Sequence, residues 1–111
     1  NSAEKINIIH YNSVLKNSQD YSFAINLYKT IKDKTILPDK FTFTHIINLS
    51  VTVENFFFIV MEMNNYKINF DEYLINSIRK KVNMFDKAYF IEYYKKDVSH
   101  VSIRWILDIL N

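Results

Sequence analysis

The chain contains no cysteine, no glycine and a single proline among its 111 residues. Without cysteine there is no disulfide framework and no thiolate metal site, and the redox compartment is not legible from the sequence. Without glycine there is no phosphate-cradling loop of the P-loop or dinucleotide-binding type. No apolar run approaches the roughly 18 residues of a membrane span; FFFIVM, at 56–61, is the longest. No catalytic constellation is recognisable: no cysteine nucleophile, and no serine, histidine and acid grouped in a known motif. His10, His45 and His100 share no metal-ligand spacing. The expectation is a non-enzymatic segment with no cofactor and no metal. The chain opens on Asn1 without a basic leader or cleavage site, and is read as a piece of a longer protein.

What is present is an apolar content of 49% with a net charge of +2, typical of a globular chain rather than a disordered one. The abundance of Asn, Lys, Ile, Tyr and Phe reflects AT-rich codons more than chemistry. Length allows one domain or part of one.

The pattern inside that composition repeats. Asn12, Thr44 and Asn76 lie 32 residues apart, as do Ala24, Phe56 and Ala88. Around them HYNSVLK, TFTHIIN and LINSIRK align, followed by FAINLYKTI, NFFFIVMEM and KAYFIEYYK. A period in the low thirties with two helix-sized apolar patterns per unit predicts an all-α protein, an α-solenoid of helix-turn-helix repeats. The units run over about 8–39, 40–71 and 72–103, with a partial fourth at 104–111, making about three and a half repeats and seven helices. Residues 1–7 read as an extended lead-in, and the first helix spans about 8–17. Asp20 or Ser18 caps a second helix carrying Ala24, Leu27, Tyr28 and Ile31 at helical spacing. Pro38 then breaks the chain, and Asp39 caps the next helix. Phe43, Ile46 and Ile47, then Phe56, Ile59, Val60 and Met63, continue the core. SHVSIRWILDILN reads as the opening helix of the fourth unit.

On each first helix the polar face carries Asn12 and Lys16, Thr44 and Asn48, or Asn76 and Lys80 at i and i+4. Stacking would align these into a stripe where lysines meet phosphates. From Asn76 onward seven basic residues stand against four acidic ones, so the basic excess is C-terminal. Each feature also has a plain structural use. Asp39 and Asp71 suit helix N-caps, Phe41 and Tyr73 suit packing between units, and Arg79, Lys80 and Lys81 suit a helix C-terminus.

HYNSVLK, the Ala-x-x-Leu-Tyr-x-x-Ile helix at Ala24–Ile31 and the ILPD ending resemble the pentatricopeptide repeat, an organellar RNA-binding family. DEYLINSI and DKAYFIEYY fit the same pattern. Family units are about 35 residues long, so these are short by about three, lost between the Asn and the Ala. The resemblance implies single-stranded RNA, messenger or ribosomal, as partner, one base per repeat being read by two or three side chains. It implies mitochondrial localisation, or a plastid-type organelle, and a role in RNA processing, stability or translation. Residue by residue, it pairs Asn12 with Asp39 for uracil and Thr44 with Asp71 for guanine, read 5′ to 3′ along the chain. Asn76 lacks a partner because the matching position is Ile103. The residues sandwiching each base correspond to Ile9, Phe41, Tyr73 and, in the partial unit, Trp105. Two alternatives stay open: a scaffold subunit of a mitochondrial ribosome or other ribonucleoprotein, packed against its proteins or ribosomal RNA without reading sequence, and the repeat arm of an RNA-processing enzyme.

Overall fold

The computed structural model describes residues 2–99, 101 and 103–110, with side chains for residues 8–99, 101 and 103–109. Among the described residues there are helices and turns and no strand. His100 lies outside them. The helices are α1 (Ser2–Asn17), α2 (Tyr21–Asp33), α3 (Lys40–Leu49), α4 (Val53–Asn65), α5 (Glu72–Val82) and α6 (Lys87–Tyr93). A π-helical stretch (Tyr94–Val98) prolongs α6, and a 3-10 helix (Arg104–Leu110) follows.

The 32-residue spacing reappears in the ends of α2 and α4. Asp20 caps α2 by accepting from the Ser22 amide, and Thr52, 32 residues on, caps α4 by accepting from the Asn55 amide. Both helices stop in the same way. The Ile36 amide bonds back to the Ile31 carbonyl and the Ile68 amide to the Met63 carbonyl, while Thr35 and Lys67 bond to Lys32 and Asn64. That double bond pattern is the Schellman ending, which needs a left-handed residue at its hinge. Thr35 and Lys67 supply it, with φ of 54° and 56°.

Glycine normally takes that position because a Cβ there meets the following carbonyl, at a cost of about 1–2 kcal/mol. Thr35→Gly and Lys67→Gly are therefore each expected to stabilise the fold by about 1 kcal/mol, the larger gain at the β-branched Thr35. Urea midpoints should rise with unchanged slope. A midpoint lowered in both variants would show that neither hinge is strained.

The chain divides into two compact units, Asn1–Leu49 and Ser50–Asn111. In the first, α1, α2 and α3 pack pairwise around Leu15, Ala24, Tyr28, Ile31, Phe43, Ile46 and Ile47, all buried. Tyr28 sits edge-on to Phe43 at 5.6 Å. Each such side chain removed from water contributes about 1.5–3 kcal/mol. Ala24, Tyr28 and Ile31 fall three or four residues apart and so share one face of α2. Leu27 is only half-buried.

In the second unit α4 packs against α6, and α5 against the 3-10 helix. Phe56, Phe57, Phe85, Phe90, Tyr93 and Tyr94 form a continuous ring cluster. The π turn puts an extra residue into the helix. Tyr94 and Val98 are both buried there, although their partners 64 residues earlier are the polar Thr30 and Lys34. Lys81 is also buried, which lowers its pKa by desolvation.

Two expectations at the ends of the chain are corrected. The lead-in before Ile8 is helical, α1 beginning at Ser2. The segment expected to open a fourth repeat is a 3-10 rather than an α-helix, the tighter winding that short terminal segments adopt. No helix among the described residues is long and apolar enough to cross a membrane.

Candidate nucleic-acid interface

The best-formed polar cluster lies in the first unit, where α1 meets the start of α3. Pro38 ends the preceding turn and leaves Asp39 to cap α3. One Asp39 carboxylate oxygen, Oδ1, accepts from the backbone amides of Phe41 (3.1 Å) and Thr42 (3.0 Å). The same oxygen accepts from Asn12 Nδ2 at 3.0 Å, across from α1. Thr42 Oγ1 lies 2.7 Å from Asn12 Oδ1, to which it donates, and 3.1 Å from Asp39 Oδ1. It accepts the Asp39 amide at 3.1 Å. The cap and the cross-helix pair are thus one ring of hydrogen bonds. Asn12 is half-buried, and of its two amide hydrogens and two carbonyl lone pairs the ring uses one of each.

Ile9 and Lys16 sit one turn before and after Asn12 on α1, both exposed, Ile9 at 67%. Phe41, two residues past Asp39, is 46% exposed, with the Lys40 ammonium 5.3 Å from its ring centre. His45, one turn further along α3, is half-buried. Burial lowers its pKa, the Lys16 charge lowers it further, and Asp39 pulls it back. An apolar side chain, an amide, a carboxylate and cations therefore converge on one patch.

Thr44 is corrected as a base reader. It is 1% exposed, and its hydroxyl donates to the Lys40 carbonyl at 2.7 Å, a bond within its own helix. With its one donor spent and its side chain buried, it presents no edge to a strand.

In the second unit Asp71 caps α5 by accepting from the Leu74 amide at 3.0 Å. Tyr73 is 52% exposed. Asn76 is exposed and accepts from Arg79 Nη1 at 2.9 Å, and Lys80 is exposed one turn on. Trp105 is half-buried, its ring 4.7 Å from that of Phe70. Ile103 is wholly buried. Elsewhere Tyr89 hydrogen-bonds to Glu54, which raises the phenol's pKa. An open groove of about 460 Å³ runs along α6 over Ala88, Ile91, Glu92, Lys95 and Lys96. Among the described residues no three His, Cys, Asp or Glu side chains gather as metal ligands.

Sequence reasoning missed Thr42. Its signal was the spacing: an aspartate cap followed three residues later by a hydroxyl side chain is a reciprocal capping pair. Lys40 and His45 carried no comparable signal. Comparison with protein-family models, with curated proteins and with solved structures gives no match.

Proposed function

We propose that this chain binds single-stranded RNA as a helical-repeat module of the pentatricopeptide type, an α-solenoid working in a mitochondrial RNA-processing, stability or translation step. The observation that carries the reading is the exposure of Ile9, Phe41 and Tyr73. They lie 32 residues apart in the sequence and stand 67%, 46% and 52% exposed, Phe41 and Tyr73 each as the second residue of its helix. Large apolar groups left outside suit a ligand with flat faces, as unpaired bases have. Beside two of them the Asn12–Asp39 pair offers an oriented amide to a base edge, and Lys16 and Lys80 offer charge to phosphates.

A second reading rests on a different observation. Thr44 is turned into its helix and Asn76 is tied to Arg79, which leaves one reading pair. That favours a scaffold within an organellar ribonucleoprotein, holding RNA without selecting its sequence.

Fluorescence anisotropy against labelled rU, rC, rA and rG homopolymers, and against an RNA duplex, separates the two over a series of salt concentrations. The reader binds single strands above duplex, prefers rU, and loses affinity with salt at a slope of roughly −0.7 per phosphate contact. Equal affinity for all four homopolymers leaves the scaffold. Equal affinity for duplex and single strand removes the stacking role of the exposed apolar residues.

A further inference from the structure

We infer that Thr42 is a positioning residue that sets which base the Asn12 amide accepts, an inference that rests on the reading of Asn12 and Asp39 as a base-edge pair. One hydrogen bond, from Asn12 Nδ2 to Asp39 Oδ1, fixes one end of the amide and leaves it free to pivot about that contact. Thr42 fixes the other end. It takes the Asp39 amide proton with a lone pair, and its hydroxyl proton points to Asn12 Oδ1, the nearer of the two oxygens in reach, at 2.7 Å against 3.1 Å. With Cβ held by α1, two anchored atoms fix the plane of the amide; its two partners, 3.1 Å apart, both lie on the edge between Nδ2 and Oδ1, so the remaining N–H and lone pair point away from each other and a base meets one of them.

Which of the two faces the base is what distinguishes pyrimidines. On its pairing edge uracil shows an acceptor at O4 beside a donor at N3, while cytosine shows a donor at N4 beside an acceptor at N3. An anchored amide keeps the same group, N–H or lone pair, toward the base, whereas a pivoting amide turns to present either. Thr42 is wholly buried and touches no base itself, so its influence passes through Asn12. The corresponding position in the next unit is Leu74, which has no hydroxyl to give.

The test compares the native chain with Thr42→Val, which keeps the shape and removes the hydroxyl, and Thr42→Ser, which keeps the hydroxyl. Thr42→Ala is held in reserve if the valine variant melts early. Two readouts are taken: the ratio of affinities for rU and rC homopolymers, and the side-chain amide resonances of Asn12 in the RNA-free protein. In Thr42→Val the affinity ratio should fall toward one by about threefold or more. The Asn12 amide resonances should move toward those of exposed asparagines such as Asn26. Thr42→Ser should retain both native values. A valine variant that keeps its ratio overturns the inference, whether or not its amide resonances move. A native protein that binds rU and rC equally overturns the base-reading role itself. The amide spectrum still reports on the anchor in that case, so the two failures are distinguishable.

Discussion

Phe57→Ala is expected to destabilise the fold by about 3–5 kcal/mol, the range for emptying a buried aromatic site. Phe57 is wholly buried and central to the ring cluster. Its ring lies 4.8 Å from Phe90 and 5.4 Å from Phe56, and stacks on Tyr93 at 5.5 Å with planes 16° apart. Removing it takes away transfer free energy and leaves a cavity that three aromatic neighbours, held by one another, close only in part. Against a total stability of roughly 5–15 kcal/mol for a domain of this size, the loss is a large fraction. Phe58, next in sequence and 40% exposed, is the control and should cost less than about 1 kcal/mol. Urea denaturation of the two variants decides the matter. If Phe58→Ala proves as damaging as Phe57→Ala, the cluster does not hold the second unit together.

The second large effect is on RNA binding. Phe41→Ala and Tyr73→Ala should each weaken binding to single-stranded RNA by about 1–3 kcal/mol, roughly 5- to 150-fold, if bases stack on these rings. Both residues are about half exposed, so the melting temperature should move little in either variant. Packing between units predicts the reverse: stability falls and RNA affinity does not. The two measurements together separate the readings, and affinity unchanged in both variants excludes stacking. Phe41 is the more demanding case. The Lys40 ammonium lies 5.3 Å from its ring centre, so a base stacking on that face would have to displace it.

Much of the fold was legible in the sequence. Ala24, Tyr28 and Ile31 recur at helical spacing and are buried, and Asp20 and Asp71 cap where expected, because caps and apolar faces are local chemistry. Less legible were features that depend on competition between local options. Residues 2–7 lack an apolar pattern, yet they continue α1. The third second-helix takes its cap at Asp86, two residues late by the 32-residue count, and then widens into a π turn. The candidate site was legible in part. Asn12 and Asp39 are expected to share a base, and the hydrogen bond between them is a contact the sequence does not announce; the same expectation falls on Thr44, which is buried. Threonine has two uses for its hydroxyl, outward to a ligand or back to its own helix carbonyl, and the sequence does not show which is taken.

The paired helix endings at Thr35 and Lys67 bear on how the chain finds its fold. Each ending is made by hydrogen bonds between near neighbours, and each opening by a cap bonding within its own first turn. Closing such small loops costs little chain entropy, and contacts of short sequence separation are the ones that form early. The limits of α2 and α4 are therefore set by contacts local in sequence, and where each helix begins and ends does not depend on any distant pair of residues.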